Sequence, residues 1–168
     1  EYAESLAEQC KALNGFGITY MEMRGVNGKN VSTLTKEEVL EAKRMLLDYG
    51  IKVSSIGSPF GKIEIDEDFE PHFEKFKNTV EVAKILEAKY IRMFCFFFTK
   101  GQSFEEKREE VLRRVKTLAD YSAQHGVYCC LENEKDIYGD TDDRNLDVLR
   151  CGSFLKATYN PGRGENAH

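Results

Sequence analysis

The chain has 168 residues, 41% of them hydrophobic and 32% charged, which is the balance of one globular domain with a real core rather than of a disordered segment. Its formal charge is -5, so it lacks the basic surplus that a nucleic-acid partner requires. No apolar run approaches the roughly 18 residues that cross a bilayer, and the N-terminal residues show no secretory pattern, so the expected location is cytoplasmic with no membrane partner.

In chain order, Leu6, Cys10 and Leu13 recur at helical spacing, and Asn14-Gly15 ends that helix. A strand is expected over 18–23. Thr35 and Glu38 form a capping-box pair that opens a helix ending at Tyr49-Gly50. A second strand over 51–56 breaks at Gly57-Ser-Pro-Phe-Gly61. Asp68 caps a long helix with Pro71 in its first turn and Phe73, Phe76 and Val80 on its apolar stripe. The next strand is expected over 89–96. A second capping box, Ser103 with Glu106, opens a helix that stops at His125-Gly126. A strand over 127–132 ends in Glu132 and a polar loop. A short helix around Leu146 and Leu149 and a last strand over 154–159 follow, with an irregular tail over 162–168.

Helices alternating with strands imply right-handed crossovers and a parallel sheet. The strands read as nearly unbroken apolar runs, as expected for strands covered on both faces. A flavodoxin-like open parallel sheet and a (β/α)8 TIM barrel both fit this order, and length alone favours the open sheet. The cysteines, Cys10, Cys95, Cys129, Cys130 and Cys151, are odd in number and form no C-x-x-C pair. Neither a zinc site nor a disulfide framework is expected of them, and Cys95, Cys129 and Cys130 read as small buried apolar residues.

Polar side chains gather where the strands end, the edge at which parallel α/β folds bind ligands. Glu22 and Arg24 follow the first strand, and a mutual ion pair is their structural alternative. Ser58, Pro59 and Lys62 follow the second, and Arg92 lies in the third. Glu132, Asn133, Glu134, Lys135 and Asp136 follow the fourth, and Asn160 the fifth. Glu132 directly continues an apolar strand, so its carboxylate is held rigidly and is partly desolvated, as suits a metal ligand or a proton-transfer base. Glu134 reads as a supporting or solvent-facing residue. His72 and His125 read as helix-surface residues. No P-loop, dinucleotide turn or G-x-S-x-G elbow is present.

Four segments stand in order: Tyr20-Met-Glu-Met-Arg-Gly-Val-Asn-Gly-Lys-Asn30, Ser54-Ser-Ile-Gly-Ser-Pro-Phe-Gly-Lys62, Ala88-Lys-Tyr-Ile-Arg-Met-Phe94 and Leu131-Glu-Asn-Glu-Lys-Asp-Ile-Tyr-Gly-Asp-Thr141. Together they resemble the sugar phosphate isomerase/epimerase family of xylose isomerase-like TIM barrels. The resemblance implies one partial barrel domain of about five βα units over 1–161, lacking the first strand of the barrel. It also implies a divalent ion (manganese, zinc, magnesium or cobalt) at the barrel mouth. Glu132 matches the first ligand of that family. Asn160 stands where its second, an Asp, is expected, and its later His and Glu have no counterpart. The implied activity is isomerisation or epimerisation of a small sugar, sugar phosphate or polyol. Glu132 would be the catalytic base and a metal ligand, Asn160 a second ligand, and Glu22, Arg24, Lys62, Arg92 and Lys135 would bind substrate. Dehydration of a cyclitol belongs to the same chemistry. A domain that binds a sugar-like ligand or a partner without turnover is the alternative, and self-association is left open.

Overall fold

The fold is described from a computed structural model, over residues 3–152 and 155–158. Five helices alternate with the strands: α1 (Leu6–Gly15), α2 (Lys36–Asp48), α3 (Phe69–Ile85), α4 (Phe104–Gln124) and α5 (Asp142–Arg150). The strands are β1 (Tyr20–Met23), β2 (Gly25–Val26), β3 (Lys29–Asn30), β4 (Lys52–Gly57), β5 (Tyr90–Met93), β6 (Tyr128–Glu132) and β7 (Leu155–Thr158). Both expected capping pairs start their helices. Thr35 accepts from the Glu38 N–H while the Glu38 carboxylate accepts from the Thr35 N–H, and Ser103 accepts from the Glu106 N–H. Asp68 caps α3 through the Glu70 N–H.

The main sheet runs β1-β4-β5-β6-β7, and every neighbouring pair is parallel. Strand neighbours in space are thus neighbours in the chain, apart from the small antiparallel β2–β3 pair. A flavodoxin-like sheet reverses its strand order part-way; this one advances steadily, as the staves of a (β/α)8 barrel do. The TIM-barrel expectation therefore holds over the part described, and the length argument for an open sheet fails.

Their apolar runs suggest strands covered on both faces; among the described residues the strands are buried on one face only. Met23, Val53, Ile56, Ile91, Met93, Cys129 and Leu131 are buried toward the helices. On the opposite face stand Tyr20, Glu22, Tyr90, Arg92, Tyr128, Cys130 and Glu132, all half-buried or exposed. This period-2 alternation brings the polar groups of several strands to one surface. Cys95 and Cys129 are fully buried, and burial pushes both thiols up to about 12. Cys130 instead stands half-buried on the helix-free face. All five cysteines are free thiols.

The third strand is shorter than its apolar run. β5 ends at Met93, and Phe94 to Phe98 turn away. Phe96 lies at φ 65, which a bulky side chain rarely adopts, and is fully buried. The turn lets the segment bond to the loops on either side. Phe94 N–H donates to Phe60 O at 2.7 Å, Phe96 N–H to Gly61 O at 2.8 Å, and Phe98 N–H to Asp136 O at 3.2 Å. The loops that follow β4, β5 and β6 are thereby tied into one wall at the C-terminal edge of the sheet.

Candidate functional site

Arg92, in β5, is the centre of the polar surface. Its Nη1 lies 3.2 Å from Glu22 Oε1 and 3.3 Å from Glu132 Oε2. The Arg92 and Glu132 side chains are only 18% and 13% exposed, so this pair is partly shielded from bulk water, while Glu22 is more open. Glu22 also accepts from Ser55 Oγ at 3.2 Å. Glu22, in β1, thus pairs with Arg92 and not with Arg24, which lies just past the end of that strand. Gly57 explains how both fit beside β4. A Cβ there would come within 2.5 Å of Glu22 Oε1 and 2.6 Å of Arg24 Cγ.

A cavity of about 340 Å³ opens beside this cluster, lined by Arg24, Lys62, Arg92, Ser58, Phe94 and residues of the β2–β3 hairpin, among others. Lys62 is not a solvated loop lysine. Its Nζ lies 2.8 Å from Glu134 Oε2 and 4.1 Å from the centroid of the Phe94 ring. Ser58 is fully buried, and its hydroxyl donates to the Arg92 carbonyl. Lys135 is exposed and does not line this cavity. Asn160 lies outside the described residues.

Three contributors were misread or missed in the sequence. Of the two readings of Glu134, the supporting one holds and the solvent-facing one does not; it is 5% exposed and fixes Lys62. Its spacing of two from Glu132 was the available signal. His72 is no surface residue. Its Nε2 accepts the Gly61 N–H at 2.9 Å, and its ring packs 4.9 Å from Phe60 and 6.2 Å from Phe96. Its helical spacing from Phe69 and Phe76 pointed to that face. The β2–β3 hairpin turns on Asn27 and Gly28, both at positive φ, and Asn27 Oδ1 accepts the Leu6 N–H at 3.0 Å. Asn-Gly is the sequence mark of such a turn. His125, also half-buried, caps the C-terminus of α4, with Nδ1 2.8 Å from Tyr121 O.

Burial drives the His72 pKa down to about 4, and the charges of Lys75 and Arg114 push the same way, with Glu67 opposing. The folded value lies below the unfolded one, so the unfolded chain takes up the proton first. Stability is therefore complete above about pH 6.5, falls as the pH drops toward 4, and loses nothing further from this group below that. The loss is at most about 3 kcal/mol before solvent screening. Thermal unfolding between pH 7 and pH 4 should show this acid limb, and His72→Gln, which keeps an acceptor, should flatten it. An identical limb in the variant would assign the effect to other groups.

Residues 10–150 match the xylose isomerase-like TIM barrel family. The chain belongs to this family. A 3-dehydroshikimate dehydratase of Bacillus anthracis is 24% identical over 133 residues, which is 79% of this chain and 47% of the dehydratase. A xylose isomerase-like TIM barrel protein from Mycobacterium smegmatis, solved in complex with magnesium, superposes at a TM-score of 0.72 and 18% identity, over 90% of this chain and 55% of that one. D-psicose 3-epimerase from Clostridium cellulolyticum H10, solved with D-tagatose, gives 0.76 and 14%, over 99% and 62%. The chain thus spans less than two thirds of each of these relatives.

Divalent ions accompany two solved relatives, magnesium in one and zinc in another, so the donors here matter. Among the described residues no three His, Cys, Asp or Glu converge as a metal-binding group. Glu132 fits as one hard oxygen donor at the strand end, beside a second carboxylate, Glu22.

Proposed function

We propose that the protein is a divalent-metal-dependent enzyme acting on a small sugar, sugar phosphate or polyol, by proton transfer at the carbon next to a carbonyl. The observation that carries this reading is the Glu22–Arg92–Glu132 cluster. It holds two carboxylates and a guanidinium at the C-terminal edge of a parallel barrel sheet, beside an open cavity. When bound, the ion would polarise the carbonyl and hydroxyl oxygens of the substrate. Glu132 would hold that ion together with donors such as Asn160, and would take the proton from the adjacent carbon. Lys62, held by Glu134 and the Phe94 ring, would orient a hydroxyl or phosphate group, as would Arg24 and Arg92; Lys135 would act from the rim.

Isomerisation through an enediol, epimerisation next to a carbonyl and dehydration through an enolate share one first step, loss of that carbon-bound proton. The likeness to a 3-dehydroshikimate dehydratase supports dehydration as a second outcome of the same step. The test is deuterium exchange. The protein, loaded with manganese in heavy water, is incubated with D-tagatose and with 3-dehydroshikimate and followed by proton NMR. Loss of the signal next to the carbonyl of either compound, stopped by EDTA, is expected. No exchange in either, with binding unaffected by metal, would favour a non-catalytic binding domain.

A further inference from the structure

Arg92 is fixed firmly at its backbone and loosely at its head. Its carbonyl accepts the Ser58 hydroxyl, and its strand is paired with β4 on one side and β6 on the other. The guanidinium meets both carboxylates through a single nitrogen, Nη1, at 3.2 and 3.3 Å. Those distances are long for charge-assisted hydrogen bonds. Its buried Nε has no hydrogen-bond partner among the described residues. Arg108 shows a structural pair in the same chain: its Nε and Nη2 reach both oxygens of Asp147, at 2.8 and 2.6 Å.

There is room on both sides of this head. Arg92 lines the cavity described above and also a groove of about 400 Å³ on the helix-free face, which it shares with Glu22, Tyr90, Cys130 and Lys156, among others. The Phe94 ring, 5.4 Å away, adds a contact with little directional demand. What the guanidinium supplies at Nη1 is therefore charge rather than a rigid fork. Two carboxylates that share one nitrogen would repel each other if that cation left without a replacement. A divalent ion at Glu132 is such a replacement.

We propose that Arg92 is a positioning residue that competes with the divalent ion for Glu132. The guanidinium neutralises Glu22 and Glu132 together, yields Glu132 to an arriving ion and keeps Glu22. Arg92 thus sets the ion affinity of the site, and it keeps both carboxylates compensated until the ion is in place. The proposal rests on the metal-enzyme reading and concerns how that site is loaded.

Titration of the intact chain with manganese, followed by the paramagnetic resonance of the free ion, tests it. Arg92→Met removes the charge and keeps an unbranched stem; it should bind manganese about tenfold or more tightly than the unsubstituted chain. Without added metal this variant should melt at a lower temperature, and manganese should raise its melting point by more than it raises that of the parent. Arg92→Lys can make the same single-nitrogen contact, so it should stay within about threefold of the parent affinity. Lys84→Met, the same loss of charge on α3, where Lys84 pairs with Glu81, should leave the affinity unchanged. Equal or weaker manganese binding in Arg92→Met would overturn the proposal while leaving the metal reading intact, since the parent still binds. Failure of both parent and variant to bind would sink the two together. Should Arg92→Met not fold, crystals of the parent grown with manganese decide. The proposal expects Arg92 Nη1 to lie beyond about 4 Å from Glu132 and still on Glu22. Arg92 unmoved beside an ion bound to Glu132 would overturn it.

Discussion

Glu132→Gln should lower divalent-ion affinity by about 100-fold or more and proton exchange by roughly 100- to 10,000-fold, with little change in thermal stability. The amide keeps the size and one acceptor oxygen of the side chain but removes its charge. Arg92 retains Glu22 as a charged partner at 3.2 Å, so the guanidinium is not left uncompensated. The Glu132–Arg92 distance of 3.3 Å is long for a charge-assisted hydrogen bond, and its loss should cost within about 1 kcal/mol. If Glu132 were instead a structural ion-pair residue, the outcome would invert: metal content would stay constant while the melting temperature fell clearly. Metal analysis and thermal unfolding of this one variant separate the two roles.

Gly61→Ala should be among the most destabilising single substitutions in the chain. Gly61 lies at φ +84, and a Cβ there would sit 1.9 Å from the Phe94 carbonyl oxygen. That neighbour is backbone and cannot rotate away. Its own segment is pinned by the bonds from Phe94 to Phe60 and from Phe96 to Gly61. A positive φ alone costs an alanine about 1 kcal/mol. Forced separation of the two loops should bring the total to about 4 kcal/mol or more, or a fall of roughly 8 to 16 °C in melting temperature. Gly101→Ala is the control. Its φ is +95, but nothing lies within 4 Å of the added Cβ. It should cost about 1 kcal/mol, the backbone part alone. Equal losses in the two variants would mean that the close approach of the loops is not what fixes Gly61.

The helices and their starts were legible because their signals are local. Thr35 with Glu38 and Ser103 with Glu106 need only residues three apart. The strand positions were legible from apolar runs, but not which face of each strand was open. Tyr90 and Tyr128 bury as readily as they face a groove, so their rings gave no direction. The end of β5 was missed because nothing in Phe94 to Phe98 reveals a chain turning at φ 65; bonds to the β4 and β6 loops impose it. Sheet order decided between the two architectures, and order depends on crossovers that local patterns do not encode.

The candidate site was legible residue by residue but not as a set of partners. Glu22, Arg92 and Glu132 were all named at strand ends, yet pairing Glu22 with Arg92 rather than Arg24 needs the register of β1, β4 and β5. Lys62 and Glu134 are 72 positions apart, so their bond is a consequence of adjacent loops. His72 was misplaced for a different reason. An imidazole at the edge of an aromatic stripe reads as solvated unless a backbone donor such as Gly61 N–H is known to face it. Glu132 stood out because one carboxylate ending an apolar strand is a purely local contrast.

The central claim is that Glu132 ligates a divalent ion at the barrel mouth. Anomalous diffraction from crystals of the protein grown with manganese tests it most directly. The account predicts one strong peak at the C-terminal edge of the sheet, about 2.0 to 2.2 Å from a Glu132 carboxylate oxygen, lost in Glu132→Gln crystals. A manganese peak bound elsewhere with Glu132 still closed onto Arg92, or the same peak persisting in Glu132→Gln, would contradict it.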